Sequence, residues 1–480
     1  MNDGDLVCCL HLSSSTSGRG HHPSHHLRAH SSRLQPESAV RGTAFFLPVR
    51  EPPPGPMAAA AAAGLLWLLD ALRKFFYLMT PAELALDDSD RMPQWILLHG
   101  VPIFFLLIVA EAVATRKRGA YRLHELLTCV SLGSLQYVGQ QTFGFLAEML
   151  GLSAEVSAYR WVWEHCRLFE IDSKSNVMLC YVCLLLGKDL GYYASHRAMH
   201  EFHLLWVGHS VHHSGEDYHL GTGLRQGIGQ AFGWPFYLPL ALLGFHPHAF
   251  AAHAQLNTLY MFWIHTELVG RLPLGLEYVF NSPMAHRMHH RPPGNCNYAG
   301  MLIVWDRLFG TYAAETVRKD FYGLAGQPPT FDPLTLNLQH VQRMARAGPG
   351  GLRRLLFGRR VPARWRCSPR ALFAPIPAMS ADERAHGPQR PKWDGDPAAP
   401  RASAALNAWL VFALAACVVC STRLLLTARS MPPAKAVLAG VTAAATFASI
   451  GQVCDRRHPR AQTALGVSAP ALAALCACVW

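Results

Sequence analysis

Eight histidines in the middle of the chain fall into three tight groups. His196 and His200 are four residues apart; His209, His212 and His213 follow in Gly208-His-Ser-Val-His-His213, and His286, His289 and His290 repeat that spacing in Ala285-His-Arg-Met-His-His290. Residues at i, i+3 and i+4 share one face of a helix, so each group aims its imidazoles in one direction. One tetrahedral zinc cannot use eight nitrogen donors. Two metals of five or six coordination, with positions open for dioxygen, would use them all.

Histidine makes up 26 of 480 residues, and at that frequency a three-histidine template arises by accident roughly 0.08 times per chain. Spacing alone is still insufficient, because His22-Pro-Ser-His25-His26 fits the same template and His26 with His30 fits the pair. Pro23 and the serine-rich flanks argue against a preorganised helix there. What distinguishes the central groups is their apolar helical context, where uncompensated imidazoles would cost several kcal/mol of desolvation that coordination offsets. His265, in Phe262-Trp-Ile-His-Thr-Glu267, is a candidate ninth ligand. His253 is a weaker one, and His203, His219, His246 and His248 read as non-ligands.

Ligating histidines need their second ring nitrogen fixed by a carboxylate or carbonyl. Asp189 lies seven residues before His196, two turns up the same face, and Glu201 follows His200 directly. These are the candidate catalytic carboxylates. Glu216 and Asp217 follow the second group as candidates to orient a ring or bind a cofactor amine, and Asp306 with Arg307 reads as a structural pair or cap.

The elements that must carry these residues are membrane helices. The chain is 51% hydrophobic and 15% charged, unusual for a soluble enzyme. Its net charge of +12 sits in basic runs beside apolar blocks, at Arg116-Lys-Arg118 and along 353–370, with no aromatic interleaving of the kind a nucleic-acid binder shows. Trp95 to Val113 reads as a span with its basic end in the cytoplasm. Leu123 to Leu152, interrupted by Gln136, Gln140 and Gln141, reads as interfacial or packed inside the bundle. Val177 to Ser195, Ile228 to Phe245 and Ala252 to Val269 are further candidates whose polar residues suit helices lining a site.

The expected organisation is a disordered extension over 1–56, N-terminal membrane helices over 57–175 and a catalytic domain over 176–338. A basic Pro/Arg-rich loop follows over 339–403, then C-terminal membrane helices over 404–480, made of Ala404 to Leu426, Ala434 to Val453 and Thr463 to Trp480, an appendage without chemistry. Residues 1–56 lack a secretory signal, and Met57 before an alanine run is a plausible second start. The 13 cysteines, among them Cys180, Cys183, Cys417 and Cys420, lie mostly in apolar stretches and read as buried free thiols.

Several longer strings resemble the fatty acid hydroxylase superfamily and, within it, the ether-lipid monooxygenases. They are Lys188-Asp-Leu-Gly-Tyr-Tyr193 with His196-Arg197 and His200-Glu201, Gly208 through Glu216-Asp-Tyr218, Leu224-Arg-Gln226, Phe262 to Glu267, Asn281 to His290, and Asn297-Tyr-Ala-Gly300 through Trp305-Asp306 to Phe309-Gly-Thr311. The likeness runs over approximately 65–338. It implies an all-α, multi-pass bundle in the endoplasmic reticulum membrane, with a di-iron site at the cytosolic face formed by the eight grouped histidines and His265. It further implies iron, dioxygen and tetrahydrobiopterin, and an alkylglycerol ether lipid hydroxylated beside its ether oxygen to give fatty aldehyde and glycerol. Glu201, Asp217 and Tyr218 are the expected pterin contacts, by proximity alone. The same histidine pattern serves sterol or fatty acyl hydroxylases and desaturases, and a histidine-rich membrane metal transporter is the reading from a different class. The chain departs from the family pattern in a shorter loop over 291–297, which bears on the rim of the site, and in segments 1–56 and 343–401, which have no clear counterpart.

Overall fold

The computed structural model describes residues 56–118, 121–149, 156–292, 294–315, 322–361, 367–375, 403–427, 431–455 and 460–479. The expectation of disorder over 1–56 lies outside them, Pro56 excepted. The chain divides into two compact units; one is Cys9–Leu69, and the other contains Asp70–Trp480 and everything discussed below. Among the described residues the architecture is all-α, with isolated bridges and no strand.

The helices that matter for the site are α1 (Val101–Thr115), α2 (Leu123–Met149), α3 (Val177–Glu201), α4 (His203–His212), α5 (Pro247–Trp263) and α6 (Pro283–His290). They are followed by α7 (Pro333–Arg346), α8 (Gly348–Phe357), α9 (Ala404–Thr427), α10 (Pro433–Cys454) and α11 (Arg460–Val479). Four stretches are long and apolar enough to cross a membrane: Ile96–Thr115, Val177–Glu201, Ala404–Leu424 and Pro433–Cys454. At about 1.5 Å per residue, each matches or exceeds the roughly 30 Å of a bilayer's hydrocarbon core. Leu106, Val109, Met178, Val182, Phe412 and Val441 stand exposed on them, as side chains facing lipid would.

Two of the expected spans fall short of a continuous membrane-length helix. Residues 228–243 form a 3-10 run, Ile228–Tyr237 with Pro235 inside it, and then the short Leu238–Leu243 helix, because glycine and proline interrupt the α-helical ladder. Pro247–Trp263 is a 17-residue core helix that stops before His265, with Ala252, Leu256, Leu259 and Tyr260 buried. The basic segment after 343 is not a plain loop either. Its described part holds the end of α7 and all of α8, where Pro349 falls in the first turn and costs no hydrogen bond. Residues 362–366 and 376–402 lie outside the described set.

The C-terminal helices are no appendage. Leu410, Leu414, Ala439, Ala443, Phe447 and Ile450 share one core with Leu127, Leu135 and Val138 of α2. Small residues on α10 allow close approach, as is usual between membrane helices. At its end Asp455 accepts from Thr330 Oγ1 at 2.6 Å and Phe331 N at 2.5 Å, fixing the turn that opens α7. A Cβ on Gly451 would lie 2.5 Å from the Phe331 carbonyl oxygen. Gly451→Val should therefore destabilise the protein by roughly 1–3 kcal/mol through overpacking, read as a lower thermal midpoint in detergent; an unchanged midpoint would show this contact to be soft.

Candidate metal centre

The first half of α3 is apolar and its last three turns are polar yet buried, with His196 and His200 in the final two. Phe202 is extended (φ −111°, ψ 134°) and ends the helix, and α4 starts at once. This corner turns His209 and His213 back on the first pair, with ring centroids 4.6 Å apart for His196–His209 and 4.7 Å for His200–His213. The approach needs glycine on both sides. A Cβ on Gly208 would sit 2.3 Å from the Gly229 carbonyl carbon, and one on Gly227 would sit 2.2 Å from the Gly208 oxygen.

The third group rides on α6, eight residues long and too short to be stable alone. Ser282 caps it, accepting from Ala285 N. Asn297, held at φ 52°, donates from Nδ2 to both Ala285 O and Ala313 O at 2.8 Å. His265 lies just beyond the end of α5.

Nine buried imidazoles thus converge, and they sort into two adjoining groups. One is His196, His200, His209, His213 and His289; the other is His212, His265, His286 and His290. Within each, one nitrogen per ring lies within 4.8 Å of the others. The groups cut across the sequence clusters, since His212 and His213 face different centres, as do His289 and His290.

Backbone carbonyls set the tautomers. Nδ1 of His196 lies 2.7 Å from Tyr298 O, that of His212 3.0 Å from Arg225 O, that of His265 2.7 Å from Met261 O, and that of His289 2.8 Å from Cys296 O. A carbonyl only accepts, so each Nδ1 carries the proton and each Nε2 presents a bare lone pair. Yet His212 Nε2 and His265 Nε2 face each other at 3.3 Å. Two lone pairs at that distance repel and cannot hydrogen-bond; a cation between such nitrogens removes the conflict. Both His200 nitrogens and His289 Nε2 are likewise buried without a partner. The donor set, all imidazole and neutral, fits a pair of borderline divalent metals such as iron. Burial holds His209, His213, His265, His286, His289 and His290 well below the usual imidazole range, with neighbouring rings adding to the effect in all six. Burial takes His212 to about 4, against its bond to Arg225 O. The lone pairs are therefore free at neutral pH.

The fatty acid hydroxylase family model matches residues 181–311, the stretch from α3 to just past α6. Over 329 residues the chain is 36% identical to the alkylglycerol monooxygenase of Xenopus tropicalis, covering 66% of this chain and 70% of that protein. The chain belongs to the alkylglycerol monooxygenase family. It is 38% identical to the Homo sapiens alkylglycerol monooxygenase over 276 residues, 56% of this chain and 59% of that protein. It is 41% identical to the Danio rerio alkylglycerol monooxygenase over 269 residues, 54% of this chain and 57% of that one. The matched stretch thus spans less than two thirds of the human and Danio rerio relatives. No solved structure matches the chain significantly.

None of the acidic residues singled out in this alkylglycerol monooxygenase family member hydrogen-bonds an imidazole of the nine. Asp189 accepts from Met301 N at 2.7 Å, Leu302 N at 2.9 Å, Trp305 Nε1 at 3.0 Å and Asn257 Nδ2 at 3.0 Å. It clamps the loop whose Tyr298 carbonyl orients His196. Asp306 holds the same loop from the other end through Tyr298 N and Ala299 N, and burial pushes its carboxyl up to about 6. Arg307 is not its partner: that guanidinium donates to Leu372 O and Ala374 O. Glu201 accepts from Arg197 at 2.8 Å and Arg359 at 2.6 Å, and Asp217 accepts from Arg122 at 2.9 Å. Tyr218 donates to Ile264 O and stacks on Tyr322. The histidines read as non-ligands stand apart from both groups: His203 meets His340, His219 stacks on Tyr121, and His246 and His248 flank Asp88; His253, the weaker candidate ligand, also lies outside them and meets Tyr77 instead.

Sequence reasoning gave no role to Arg225. It is buried, donates to Ser214 Oγ and to Glu125 Oε1 at 3.0 Å, and offers its own carbonyl to His212. No local pattern marks it, because its acid partner Glu125 lies 100 residues away in sequence. Asp189→Ala would strand four N–H donors in the interior, at roughly 1–3 kcal/mol each, and loosen the carbonyl that orients His196. That variant should melt earlier and bind less iron per chain by elemental analysis; wild-type iron content would mean the loop holds His196 unaided.

Proposed function

We propose that the nine histidines hold two iron ions and that the protein is a membrane monooxygenase cleaving glyceryl ether lipids. The single observation that carries this is the convergence of nine buried histidines into two groups whose nitrogens lie within 4.8 Å of one another, with the unprotonated Nε2 atoms of His212 and His265 face to face, in a chain related over most of its site to alkylglycerol monooxygenases. Bound iron would supply the activation of dioxygen, chemistry that no side chain performs.

The remaining work falls to this chain's own residues. Carbonyls that fix the tautomers of His196, His212, His265 and His289 keep those four lone pairs available without reorganisation. The apolar bundle around them excludes water and lets an alkyl tail stay in hydrocarbon-like surroundings. The favoured target is the carbon beside the ether oxygen, since hydroxylation there gives a hemiacetal that separates into fatty aldehyde and a glycerol derivative. Tetrahydrobiopterin, if bound, would supply the two electrons and two protons by which one oxygen atom of dioxygen ends as water while the other enters the product. Glu201, Asp217 and Tyr218 are proposed for the pterin pocket. Both carboxylates already engage arginines, so a pterin amine would have to compete with Arg197, Arg359 and Arg122.

The site is proposed to face the cytosol from the endoplasmic reticulum membrane. The basic run 116–118 follows α1, and the residues just past it join the histidine end of the bundle, Tyr121 through Glu111 and Arg122 through Asp217. The positive-inside rule assigns that end to the cytoplasm.

Membranes holding the protein, given a 1-O-alkylglycerol, iron and tetrahydrobiopterin, should release fatty aldehyde. Product from a sterol or acyl substrate in its place would move the assignment to those hydroxylases, and metal translocation without oxygen uptake would move it to a transporter. His212→Ala and His289→Ala should each lower turnover at least a hundredfold, while His22→Ala leaves it unchanged; equal tolerance at all three positions would sink the site.

A further inference from the structure

Between α2, α3 and the Ile228–Tyr237 run lies a cavity of about 190 Å³, and His196 is the single member of the nine that lines it. Its polar lining holds three glutamines, Gln136 and Gln140, one turn apart on α2, and Gln230 on the 3-10 run, together with Ser195 and Tyr237. Tyr192 and Trp234 give it aromatic surface. Gln230 Oε1 is shut off from solvent and has no hydrogen-bond partner. An unpaired buried amide oxygen is costly, and a bound hydroxyl donor would relieve it. Neither the fold nor the metal centre accounts for three amides at this place in an apolar bundle.

We propose that this cavity is the headgroup subsite, in which the three glutamines hydrogen-bond the vicinal hydroxyls of the glyceryl ether and set the carbon beside the ether oxygen against the His196 side of the centre. The inference rests on the ether-lipid reading above and deepens it. Each hydroxyl of a diol both donates and accepts, and each primary amide does the same. The match is neutral with neutral, so no charge need be desolvated inside the membrane. The donor-rich aminopyrimidine edge of a pterin would call for a carboxylate, and none lines this cavity. The aromatic faces suit the first methylenes of the alkyl chain.

The test uses the full-length protein in membranes with Gln136→Met, Gln140→Met and Gln230→Met, keeping side-chain length while removing the amide. Iron content, kcat and KM are measured with a 1-O-alkylglycerol and with an alkyl methyl ether of the same chain that lacks both hydroxyls. Loss of one neutral hydrogen bond corresponds to roughly a 3- to 10-fold change. The expected result is a rise of that size in KM for the alkylglycerol, kcat within about threefold, unchanged KM for the hydroxyl-free ether and unchanged iron. Equal shifts for both ethers, a shift confined to the KM for tetrahydrobiopterin, or no shift at all would overturn the subsite while leaving the ether-lipid reading intact. A wild-type protein that releases no aldehyde from alkylglycerol would overturn that reading itself, and the subsite with it.

Discussion

Everything in this structure is arranged around a repulsion. Nine imidazoles lie buried in an apolar bundle with ring nitrogens 2.9–3.3 Å apart in five pairs, and in one of these, His212 with His265, both facing nitrogens are unprotonated. An apolar core would close over ordinary side chains of the same volume without such conflict. Here the rings cannot turn away, because four have their second nitrogen tied to a backbone carbonyl. They cannot gain protons at neutral pH either, since burial and neighbouring rings oppose the charged form. The arrangement makes energetic sense as a cavity shaped for cations.

That constraint explains where the rest of the buried polarity goes. The carbonyls are useful only if the loops bearing them are rigid, and rigidity comes from acids that never reach a ring. Asp189 and Asp306 grip the 298–302 loop from opposite ends, while Glu315 takes Arg287 and Arg291 beside α6. Asp189 and Asp306 each accept several hydrogen bonds at once and Glu315 pairs with two guanidiniums, conditions under which a buried carboxylate is tolerated. The family's shared strings therefore mix residues that can touch a metal with residues whose work is to hold a peptide unit still.

How much of this could be read from the chain follows from the same division. Helical spacing suffices to put His196 with His200, or His286 with His290, on one face, because 3.6 residues per turn is a local rule. It cannot say that His212 and His213 serve different groups, which depends on the angle between α4 and α6. A sequence shows that Asp189 shares a face with His196, and the obvious inference is direct contact. The actual route runs through a loop 112 residues away in sequence, by way of a carbonyl that every residue type possesses. Ile228 to Phe245 misled for a related reason: apolar content signals burial, but the glycines and Pro235 decide whether the buried segment is a long helix. The 3-10 run that results brings Gly227 against Gly208, which a regular span would not.

The C-terminal helices show how a part without a single ligand still bears on the centre. Asp455 fixes Thr330 and Phe331, and the Phe331 carbonyl lies 3.3 Å from Oγ1 of the buried Thr128 of α2, whose proton has its nearer acceptor in His124 O at 2.8 Å. One turn earlier on α2, Glu125 accepts from Arg225 Nη1, and the Arg225 carbonyl holds His212 Nδ1. The residues of that chain are buried against one another, so a shift of α10 relative to α2 must either disturb one of these contacts or carry Arg225 along. Because packed interiors yield little to strain, the position of the His212 ring is set in part by three helices that contribute no nitrogen to it. Their apolar sequences advertise membrane residence and conceal this role, which lies in where one aspartate at the end of a helix meets the turn before α7.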